Sequence, residues 1–367
     1  MTDPMATSET RENLLDMAPD VALERLRLWF GERGEPAYRA AQLFGRLWQR
    51  PVASFHDVTE LPVTLREALD ASFSMPSLEL ATRQRSIDGT EKFLFRMRDG
   101  QLIETVAIPD ADRMTLCVSS QAGCALQCAF CATGAMGFQR NLSPAEIAGQ
   151  VRALRMLTPA ILATNVVFMG MGEPMMNWTS VSTTLTLMND PRALGIGARH
   201  ITISTVGVLP GIIALSERPE QFRLALSIHA PTDELRRSLM PINVKYPLTD
   251  VIAAAAAFDR RVTFEYVMLG GVNDQPEHAA QLALLARDCR AFVNLIPLHP
   301  GGSMGFTPSN APVIAAFARA LRARGVETAV RRSRGLDIAA ACGQLRTERL
   351  GRRLPIATHE HSEVHVA

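Results

Sequence analysis

Four of the six cysteines of the chain are crowded into one stretch, Cys117-Val-Ser-Ser-Gln-Ala-Gly-Cys124-Ala-Leu-Gln-Cys128-Ala-Phe-Cys131. The last three follow the spacing C-x3-C-x2-C on a glycine-flanked loop. Thiolates at this spacing can hold three corners of an iron–sulfur cube and leave the fourth iron for another ligand. A structural zinc ion needs a fourth protein ligand, which Cys117 could supply only if the chain looped back. The spacing and the apolar Phe130 favour a 4Fe-4S cluster, with a zinc site as the alternative.

The cysteine loop follows the first of six apolar segments that the sequence predicts as β-strands, with amphipathic helices between them. The predicted strands cover 114–119, 165–169, 200–205, 223–228, 262–268 and 292–296. The predicted helices cover 143–157, 179–188, 209–216, 249–258 and 276–288. Apolar strands alternating with helices indicate an α/β fold with a parallel sheet, which right-handed crossovers would roll into a partial (β/α)6 barrel. Such folds place their active sites at the carboxyl ends of the strands, where the cysteine loop lies.

Smaller units surround this core. Helical spacing of apolar residues before residue 70 predicts a small helical domain. Asp99-Gly100 lies between two runs in which apolar and polar residues alternate, which predicts a β-hairpin that carries Glu104 in its second strand. The basic side chains of the helical domain, which suit a solvated face or a nucleic-acid contact, are Arg39, Arg46, Arg50 and Arg66. The predicted units are a disordered N-terminus (1–21), a helical domain (22–85), a β-hairpin extension (86–110), the α/β core (111–336) and a C-terminal segment with a basic tail (337–367).

Polar residues and glycines stand at the ends of the second, third and fourth predicted strands of the core. They are Gly172 and Glu173, then Ser204, then Ser227, Ile228 and His229. Each alone is equally well explained as an ordinary strand-to-loop cap. Glycine allows a ligand to approach the backbone, and a carboxylate suits an ammonium group. Because the carboxyl ends of parallel strands share one edge, the set predicts a ligand site beside the cysteine loop.

The composition indicates a globular cytoplasmic protein. The chain has 367 residues, of which 47% are hydrophobic, and a net charge of +1 from 38 basic and 37 acidic side chains. This balance neither requires nor excludes a nucleic-acid partner. The longest apolar run, 251–258, is too short for a membrane span of roughly 20 residues, and the polar N-terminus does not predict a signal peptide. Cysteines without an export signal indicate reduced thiols.

The cysteine spacing after the first strand resembles the signature of the radical S-adenosylmethionine (radical SAM) superfamily. The Gly-Glu-Pro turn one strand later resembles that superfamily's motif for the amino group of SAM. Over nearly its whole length the chain resembles, more specifically, the RlmN family of RNA adenine C2-methyltransferases, relatives of the C8-methyltransferase Cfr. The segments that carry this resemblance are Gly34-Glu-Pro-Ala-Tyr-Arg-Ala40 through Phe55-His-Asp-Val-Thr59, Thr115-Leu-Cys-Val-Ser-Ser-Gln-Ala-Gly-Cys-Ala-Leu-Gln-Cys128, Leu226-Ser-Ile-His-Ala-Pro, Phe264-Glu-Tyr-Val-Met-Leu and Asp337-Ile-Ala-Ala-Ala-Cys-Gly-Gln-Leu345.

The resemblance implies a mechanism for a carbon, C2 of adenine, that is too electron-poor to attack the methyl group of SAM. Cys342 would take a methyl group from one SAM, and a radical from a second SAM at the cluster would activate that methyl for addition to C2. Cys117 would resolve the protein–RNA adduct through a transient disulfide with Cys342, and Glu104 would accept the C2 proton. The strand-end residues and His299 would contact SAM. Without the resemblance, Glu104 is better explained as a solvent-facing carboxylate and Cys342 as a small buried residue.

The resemblance also implies substrates and partners. These are an adenosine in the peptidyl-transferase centre of 23S rRNA, the adenosine 3′ of the anticodon in some tRNAs, and an electron donor such as flavodoxin, with the enzyme acting as a monomer away from membranes. One position departs from the family, which usually has Asn where this chain has His299. C8 methylation therefore stays as an alternative, and a non-catalytic, zinc-stabilised RNA-binding protein is an alternative from another class.

Overall fold

A ten-stranded mixed sheet organises the computed structural model, which describes residues 11–298, 305–340 and 343–345. In chain order the strands of this sheet are β3 (Glu79–Arg85), β4 (Glu91–Arg96), β5 (Leu102–Asp110), β6 (Arg113–Cys117), β9 (Asn165–Phe168), β10 (Ile201–Thr205), β11 (Arg223–Ser227), β12 (Val262–Met268), β13 (Phe292–Pro297) and β14 (Thr328–Val330). Two short pairs stand apart from it, β1 (Glu12–Asn13) with β2 (Phe73–Ser74) and β7 (Gln121–Gly123) with β8 (Phe138–Asn141).

Helices alternate with the strands of the core. In chain order they are α1 (Pro19–Gly31), α2 (Tyr38–Trp48), α3 (Val63–Ser72), α4 (Ala132–Ala135), α5 (Pro144–Arg155), α6 (Trp178–Asn189), α7 (Leu209–Ser216), α8 (Asp233–Leu239), α9 (Leu248–Ala257), α10 (Pro276–Asp288) and α11 (Ala311–Arg322). The start of α5 is fixed by a capping box, in which Ser143 and Glu146 satisfy each other's backbone N–H groups. Within the described ranges, no helix is long and apolar enough to span a membrane.

The order of the strands is β14-β13-β12-β11-β10-β9-β6-β5-β4-β3. Every neighbouring pair from β6 to β14 is parallel, and the pairs from β3 to β6 are antiparallel. Strand–helix units run from β6 to α11, and β14 adds a further parallel strand. Among the described residues the sheet ends in two edge strands, β14 and β3, so it does not close into a complete barrel. The predicted α/β fold with a partial barrel is confirmed.

The main hydrophobic core lies between one face of the parallel strands and the helices. Side chains alternate between the two faces of a strand, and those on the helix side are fully buried. Examples from successive strands are Leu116, Val166, Ile203, Leu224, Phe264 and Leu295. This packing fixes the orientation of each strand and leaves the opposite face for other residues.

The segment from residue 11 to residue 21 is folded, so the prediction of a disordered N-terminus is wrong from residue 11 onwards. Leu14 and Leu15 are buried, and Asp16 accepts a hydrogen bond of 2.8 Å from the backbone N–H of Ala145 at the start of α5. Two leucines are too few to produce a periodic pattern, so only tertiary packing reveals their burial. Residues 1–10 lie outside the described residues.

The predicted β-hairpin is present as β4 and β5, which turn at Asp99-Gly100. Gly100 has a φ of 81°, a conformation that glycine adopts without strain. A third strand, β3, pairs antiparallel with β4 and was not predicted, because its sequence is mostly polar and does not alternate. The antiparallel pairing of β5 with β6 places this three-stranded ribbon directly beside the strand that leads into the cysteine loop.

Candidate active site

The polar-lined face of the sheet, opposite the helix-covered core, presents four of the predicted site residues. Cross-strand partners share a face of a sheet, and so do residues two apart in one strand. The registers that apply here are Val106 opposite Cys117, Cys117 opposite Val167, Val167 opposite Thr202, Ser204 opposite Ala225, and Ser227 opposite Glu265. This face therefore presents Glu104, Cys117, Ser204 and Ser227 together.

The three cysteines of the C-x3-C-x2-C motif lie on the loop between β7 and α4. Burial raises the pKa of Cys124 to about 11, and the nearby charges of Cys131 and Glu173 raise it further. Burial also raises the pKa of Cys128, with the charges of Cys131 and Cys124 acting in the same direction. The three cysteines are therefore close enough for their charges to act on one another, and uncompensated thiolates are unfavourable there.

A cationic iron–sulfur cluster fits this donor set, because it supplies the positive charge that buried thiolates need. Cys124, Cys128 and Cys131 are free thiols in the structure. In the same part of the chain, no three His, Cys, Asp or Glu side chains are gathered closely enough to hold a single metal ion. A zinc ion would need four ligands around one point, whereas a cube spreads its ligands over separate corners.

Gly123 shapes the start of the cysteine loop. Its φ is +74°, and a Cβ atom at this position would lie only 1.9 Å from the carbonyl oxygen of Gly137. That oxygen accepts a hydrogen bond of 3.0 Å from the backbone N–H of Cys124. The first cysteine of the motif is thus held by a close backbone contact that only glycine permits.

His229 supports the cysteine loop from the end of β11. Its ring meets Phe130 edge-on, with the ring centres 4.7 Å apart, and its Nδ1 accepts a hydrogen bond of 3.0 Å from the backbone N–H of Val267. Burial lowers the pKa of His229 to about 3, and the charge of Arg236 lowers it further. The imidazole is therefore neutral at physiological pH, with its proton on Nε2.

Glu173 joins the ends of β9 and β10. Its two carboxylate oxygens each accept a hydrogen bond of 3.0 Å, one from the backbone N–H of Met175 and the other from that of Val206. Burial raises its pKa to about 7. Gly172, with a φ of 95°, is packed so closely that a Cβ atom there would lie 2.5 Å from the Cβ of Gln121. The predicted contact of these two residues with the SAM amino group stays a prediction.

The other predicted SAM contacts differ in what they offer a ligand. Ser204 and Ser227 are half-buried on the polar-lined face. The Ile228 side chain is fully buried in the core, so any ligand contact of this residue would use its backbone. His299 lies outside the described residues.

Arg236 on α8 is a buried cation that the sequence analysis missed. It donates hydrogen bonds to the carbonyl of Val206, to the carbonyl of Ser227 at 3.3 Å and to the side chain of Asn243 at 2.6 Å. Its guanidinium therefore joins the carboxyl ends of β10 and β11 beside the cysteine loop. The sequence does contain a signal for the helix that carries Arg236: Thr232 followed by two acidic residues is typical of a helix start. The structure shows Thr232 as the N-cap of α8.

Replacing Arg236 should destabilise the fold, because its buried carbonyl and amide partners would lose their donor. For Arg236→Met we expect the free energy of unfolding to fall by about 3 kcal/mol. Arg237→Met, at the exposed neighbouring position, is the matched control and should change it by less than about 0.5 kcal/mol. Urea unfolding of the two variants measures the difference, and equal stabilities would contradict the assigned contacts.

A buried glutamine fixes the strand before the loop and was also missed. Gln150 on α5 accepts hydrogen bonds from the backbone N–H of Ser119 at 2.8 Å and from the Thr105 hydroxyl at 2.7 Å, and it donates to the Ser119 carbonyl at 2.8 Å. The Ser119 hydroxyl in turn donates to the carbonyl of Glu104 at 2.6 Å. This network holds β5 and β6 together at the site.

Glu104 itself is buried on the polar-lined face, with a side chain only 5% exposed, and forms an ion pair of 3.1 Å with Lys92. The reading of Glu104 as a solvent-facing hairpin carboxylate is therefore wrong. The reason is that β5 is not a free hairpin strand but an inner strand of the sheet, between β4 and β6.

The described flanks of Cys342 reach Cys117. Ala340 and Leu345 pack against Cys117 in one apolar cluster. On the side of the cysteine loop, the Ala132 N–H donates to the carbonyl of Gly343 at 2.9 Å. Cys342 lies outside the described residues, so its pairing with Cys117 stays a prediction.

The helical domain is less basic than its sequence suggests. The guanidinium of Arg39 pairs with Glu35 at 3.2 Å, and that of Arg46 lies 3.6 Å from a carboxylate oxygen of Glu60. Arg50 is exposed. Part of the predicted basic surface is thus neutralised within the domain itself.

The fold and the cysteine site together define a protein of the radical SAM class. Residues 118–283 match the model of the Radical SAM superfamily, and residues 12–75 match that of the ribosomal RNA large subunit methyltransferase N-terminal domain. The chain belongs to the RlmN family of dual-specificity RNA methyltransferases. The resemblance seen in the sequence is confirmed, and this membership implies a 4Fe-4S cluster and SAM as cofactors.

Several relatives are similar over nearly their full length. The chain is 80% identical over 355 residues to the probable dual-specificity RNA methyltransferase RlmN of Gemmatimonas aurantiaca, which covers 97% of this chain and 99% of that relative. It is 46% identical over 350 residues to the dual-specificity RNA methyltransferase RlmN of Anaeromyxobacter dehalogenans, covering 91% and 94%. The crystal structure of a radical SAM methyltransferase from Sphaerobacter thermophilus superposes with a TM-score of 0.86 at 43% identity, covering 92% of this chain and 100% of that chain.

Proposed function

We propose that this chain methylates C2 of adenosine in RNA. The targets are the adenosine in the peptidyl-transferase centre of 23S rRNA and the adenosine 3′ of the anticodon in some tRNAs. One observation carries the proposal: the cysteine loop, Cys117 and both flanks of Cys342 converge on the polar-lined face of the sheet. A cluster alone needs only the loop cysteines, so Cys117 and the cysteine between those two flanks in the sequence suit a resolving group and a methyl carrier. The 80% identity to a relative named as a dual-specificity RNA methyltransferase supports RNA as the substrate.

The cofactors have separate binding residues in this proposal. Cys124, Cys128 and Cys131 would hold the 4Fe-4S cluster, which would supply the electron for reductive cleavage of SAM to methionine and a 5′-deoxyadenosyl radical. The residues proposed to contact SAM are Gly172, Glu173, Ser204, Ser227, Ile228, His229 and His299. Their support is that the described ones lie at or just after the carboxyl ends of successive parallel strands.

The two further cysteines perform the group transfer. The Cys342 thiolate attacks the methyl carbon of SAM, so a carbon–sulfur bond forms while the sulfonium bond breaks and S-adenosylhomocysteine leaves. A 5′-deoxyadenosyl radical from a second SAM would take a hydrogen atom from this methyl group, and the remaining CH2 group would add to adenine C2. Loss of the C2 proton to Glu104, and return of one electron to the cluster, would leave the carbon bonded to both adenine C2 and the sulfur of Cys342. The Cys117 thiolate then attacks that sulfur, the sulfur–sulfur bond forms as the carbon–sulfur bond breaks, and the released CH2 carbon takes up a proton to become the new methyl group of the RNA. An external thiol must reduce the disulfide before the next turnover.

Glu104 is the proposed acceptor of the C2 proton. Its carboxylate lies on the same face as Cys117, one strand away, and is shielded from water. A carboxylate in that place can take a proton from a base held against the C-terminal segment. The ion pair with Lys92 fixes its orientation before the RNA arrives.

RNA contacts and partners complete the proposal. The helical domain (22–85), the hairpin extension (86–110) and the basic C-terminal segment (337–367) flank the core (111–336), and the first and last of them would contact RNA. The match of residues 12–75 to an N-terminal domain of ribosomal RNA methyltransferases supports this role. We further propose that the enzyme acts as a monomer in the cytoplasm, where its RNA substrates are, and receives electrons from a donor such as flavodoxin.

The expected product of the reaction with 23S rRNA or tRNA is 2-methyladenosine. Anaerobically purified, reduced enzyme with SAM should form it together with equal amounts of S-adenosylhomocysteine and 5′-deoxyadenosine, measured by mass spectrometry of RNA digests. Cys342→Ala should form none. Formation of 8-methyladenosine would instead establish the C8 alternative. A colourless protein that contains zinc and forms no methylated nucleoside would establish the zinc-stabilised RNA-binding alternative.

A further inference from the structure

Lys92 stands out first by its residue type. The chain has 38 lysines and arginines, and only two of these are lysines, Lys92 and Lys245. Lys92 is opposite Val106 between β4 and β5, so it shares the polar-lined face with Glu104 and Cys117. Its side chain is 11% exposed. A buried lysine in a chain that otherwise relies on arginine indicates a need for a compact ammonium group.

The ammonium group of Lys92 contacts two parts of the proposed machinery. It lies 3.1 Å from Oε1 of Glu104, and it donates a hydrogen bond of 3.3 Å to the carbonyl of Ala339. Ala339 is three residues before Cys342 in the chain. One nitrogen therefore joins the proposed proton acceptor to the segment that carries the proposed methyl carrier.

The turn between β3 and β4 provides a second anchor for the same segment. The Ser86 hydroxyl donates to one carboxylate oxygen of Asp337 at 2.5 Å, and the backbone N–H of Ile87 donates to the other at 3.2 Å. In the opposite direction, the backbone N–H of Gly335 donates to Asp88 at 2.9 Å. The β3–β4 turn and the C-terminal segment thus hold each other by reciprocal hydrogen bonds.

Gly335 lies where the C-terminal segment and the β3–β4 turn approach each other closely. Its φ is +63°, and a Cβ atom here would lie 2.7 Å from the Cβ of Ala340 and 3.0 Å from a side-chain carbon of Thr90. Ala340 is also hydrogen-bonded back to the Gly335 carbonyl at 2.9 Å. The segment therefore approaches the β3–β4 hairpin as a compact turn.

We propose that Lys92 is a positioning residue that aligns Glu104 with residues 335–340, which precede Cys342 in the chain, during transfer of the carbon to RNA. The inference rests on the proposed function. A tetrahedral ammonium can direct separate N–H groups at a carboxylate and at a carbonyl in different directions. The guanidinium of an arginine is planar and larger, so it can replace this compact ammonium group only in part. The reciprocal bonds of the β3–β4 turn keep the segment within reach of this nitrogen.

The test compares Lys92→Met, Lys92→Arg and the matched control Lys245→Met, all as reconstituted full-length enzymes. Lys245 is exposed at the end of a turn far from these contacts in the chain. For Lys92→Met we expect kcat for 2-methyladenosine formation to fall about 100-fold, while KM for RNA changes less than about threefold. Lys92→Arg should recover part of this loss, and Lys245→Met should retain kcat within about twofold of the unchanged enzyme.

Intact-protein mass spectrometry adds a readout that a loss of folding would not produce. In Lys92→Met, the methyl group on Cys342 and the iron content should stay near those of the unchanged enzyme, while the fraction of protein joined to RNA should increase. Unchanged kcat in Lys92→Met, a loss of Cys342 methylation equal to the loss of turnover, or a Lys92→Arg variant no better than Lys92→Met would each overturn the inference. If the unchanged enzyme itself forms no 2-methyladenosine, the proposed function fails instead.

Discussion

A Cys117→Ala variant should become covalently attached to its RNA substrate. Cys117 is buried on the polar-lined face, in one apolar cluster with Ala340 and Leu345 on either side of Cys342 in the sequence. Without this thiol, no nucleophile is at hand to break the bond between the sulfur of Cys342 and the transferred carbon. We expect turnover to fall by on the order of 10³-fold or more, and a stoichiometric protein–RNA adduct to accumulate.

Gel mobility and nuclease digestion followed by mass spectrometry would measure the adduct of Cys117→Ala. The matched control is Cys289→Ala, because Cys289 is another buried cysteine. Its sulfur donates a hydrogen bond to the Ile252 carbonyl, and burial raises its pKa to about 12, so it should not react. Cys117→Ala protein that remains free of RNA under turnover conditions would contradict the role of Cys117 as the resolving thiol.

The elements that position the site could be predicted because each has a local signal. The strands of the core are short apolar runs between helices with recognisable starts, such as the capping box at Ser143. Once the strands are parallel, their carboxyl ends share one edge, so residues at those ends meet whatever their distance in sequence. This is why Ser204 and Ser227 could be predicted to lie beside the cysteine loop.

The residues that hold the site in place could not be predicted, because their partners are distant in sequence. Gln150 reaches Ser119 across 31 positions, and Arg236 reaches Val206 across 30. Lys92 contacts the carbonyl of Ala339, which is 247 positions away. A polar residue on a helix or strand is normally expected at the surface, and only the tertiary fold shows that these side chains are buried and satisfied. The burial of Glu104 has the same origin, since it depends on β5 lying between β4 and β6.

The cysteine loop should lose its cluster when Gly123 is replaced by alanine. A positive φ alone costs an L-residue about 1–2 kcal/mol, but here the added Cβ would also lie 1.9 Å from the Gly137 carbonyl oxygen. That oxygen accepts the backbone N–H of Cys124, so relieving the clash moves the first cysteine of the motif. For Gly123→Ala we expect iron affinity to fall about 10- to 100-fold, with loss of 2-methyladenosine formation.

Gly137→Ala separates the clash from the backbone strain. Gly137 has a φ of +75°, almost the same as that of Gly123, but a Cβ atom there would meet nothing within 4 Å. The two variants therefore carry the same conformational cost, and only Gly123→Ala carries the steric one. Iron and sulfide analysis after identical reconstitution should give nearly full occupancy for Gly137→Ala and little for Gly123→Ala, with similar circular dichroism for both. Equal iron contents would mean that the loop tolerates the shift of Cys124, and that the close contact between the glycines does not set the geometry of the cluster site.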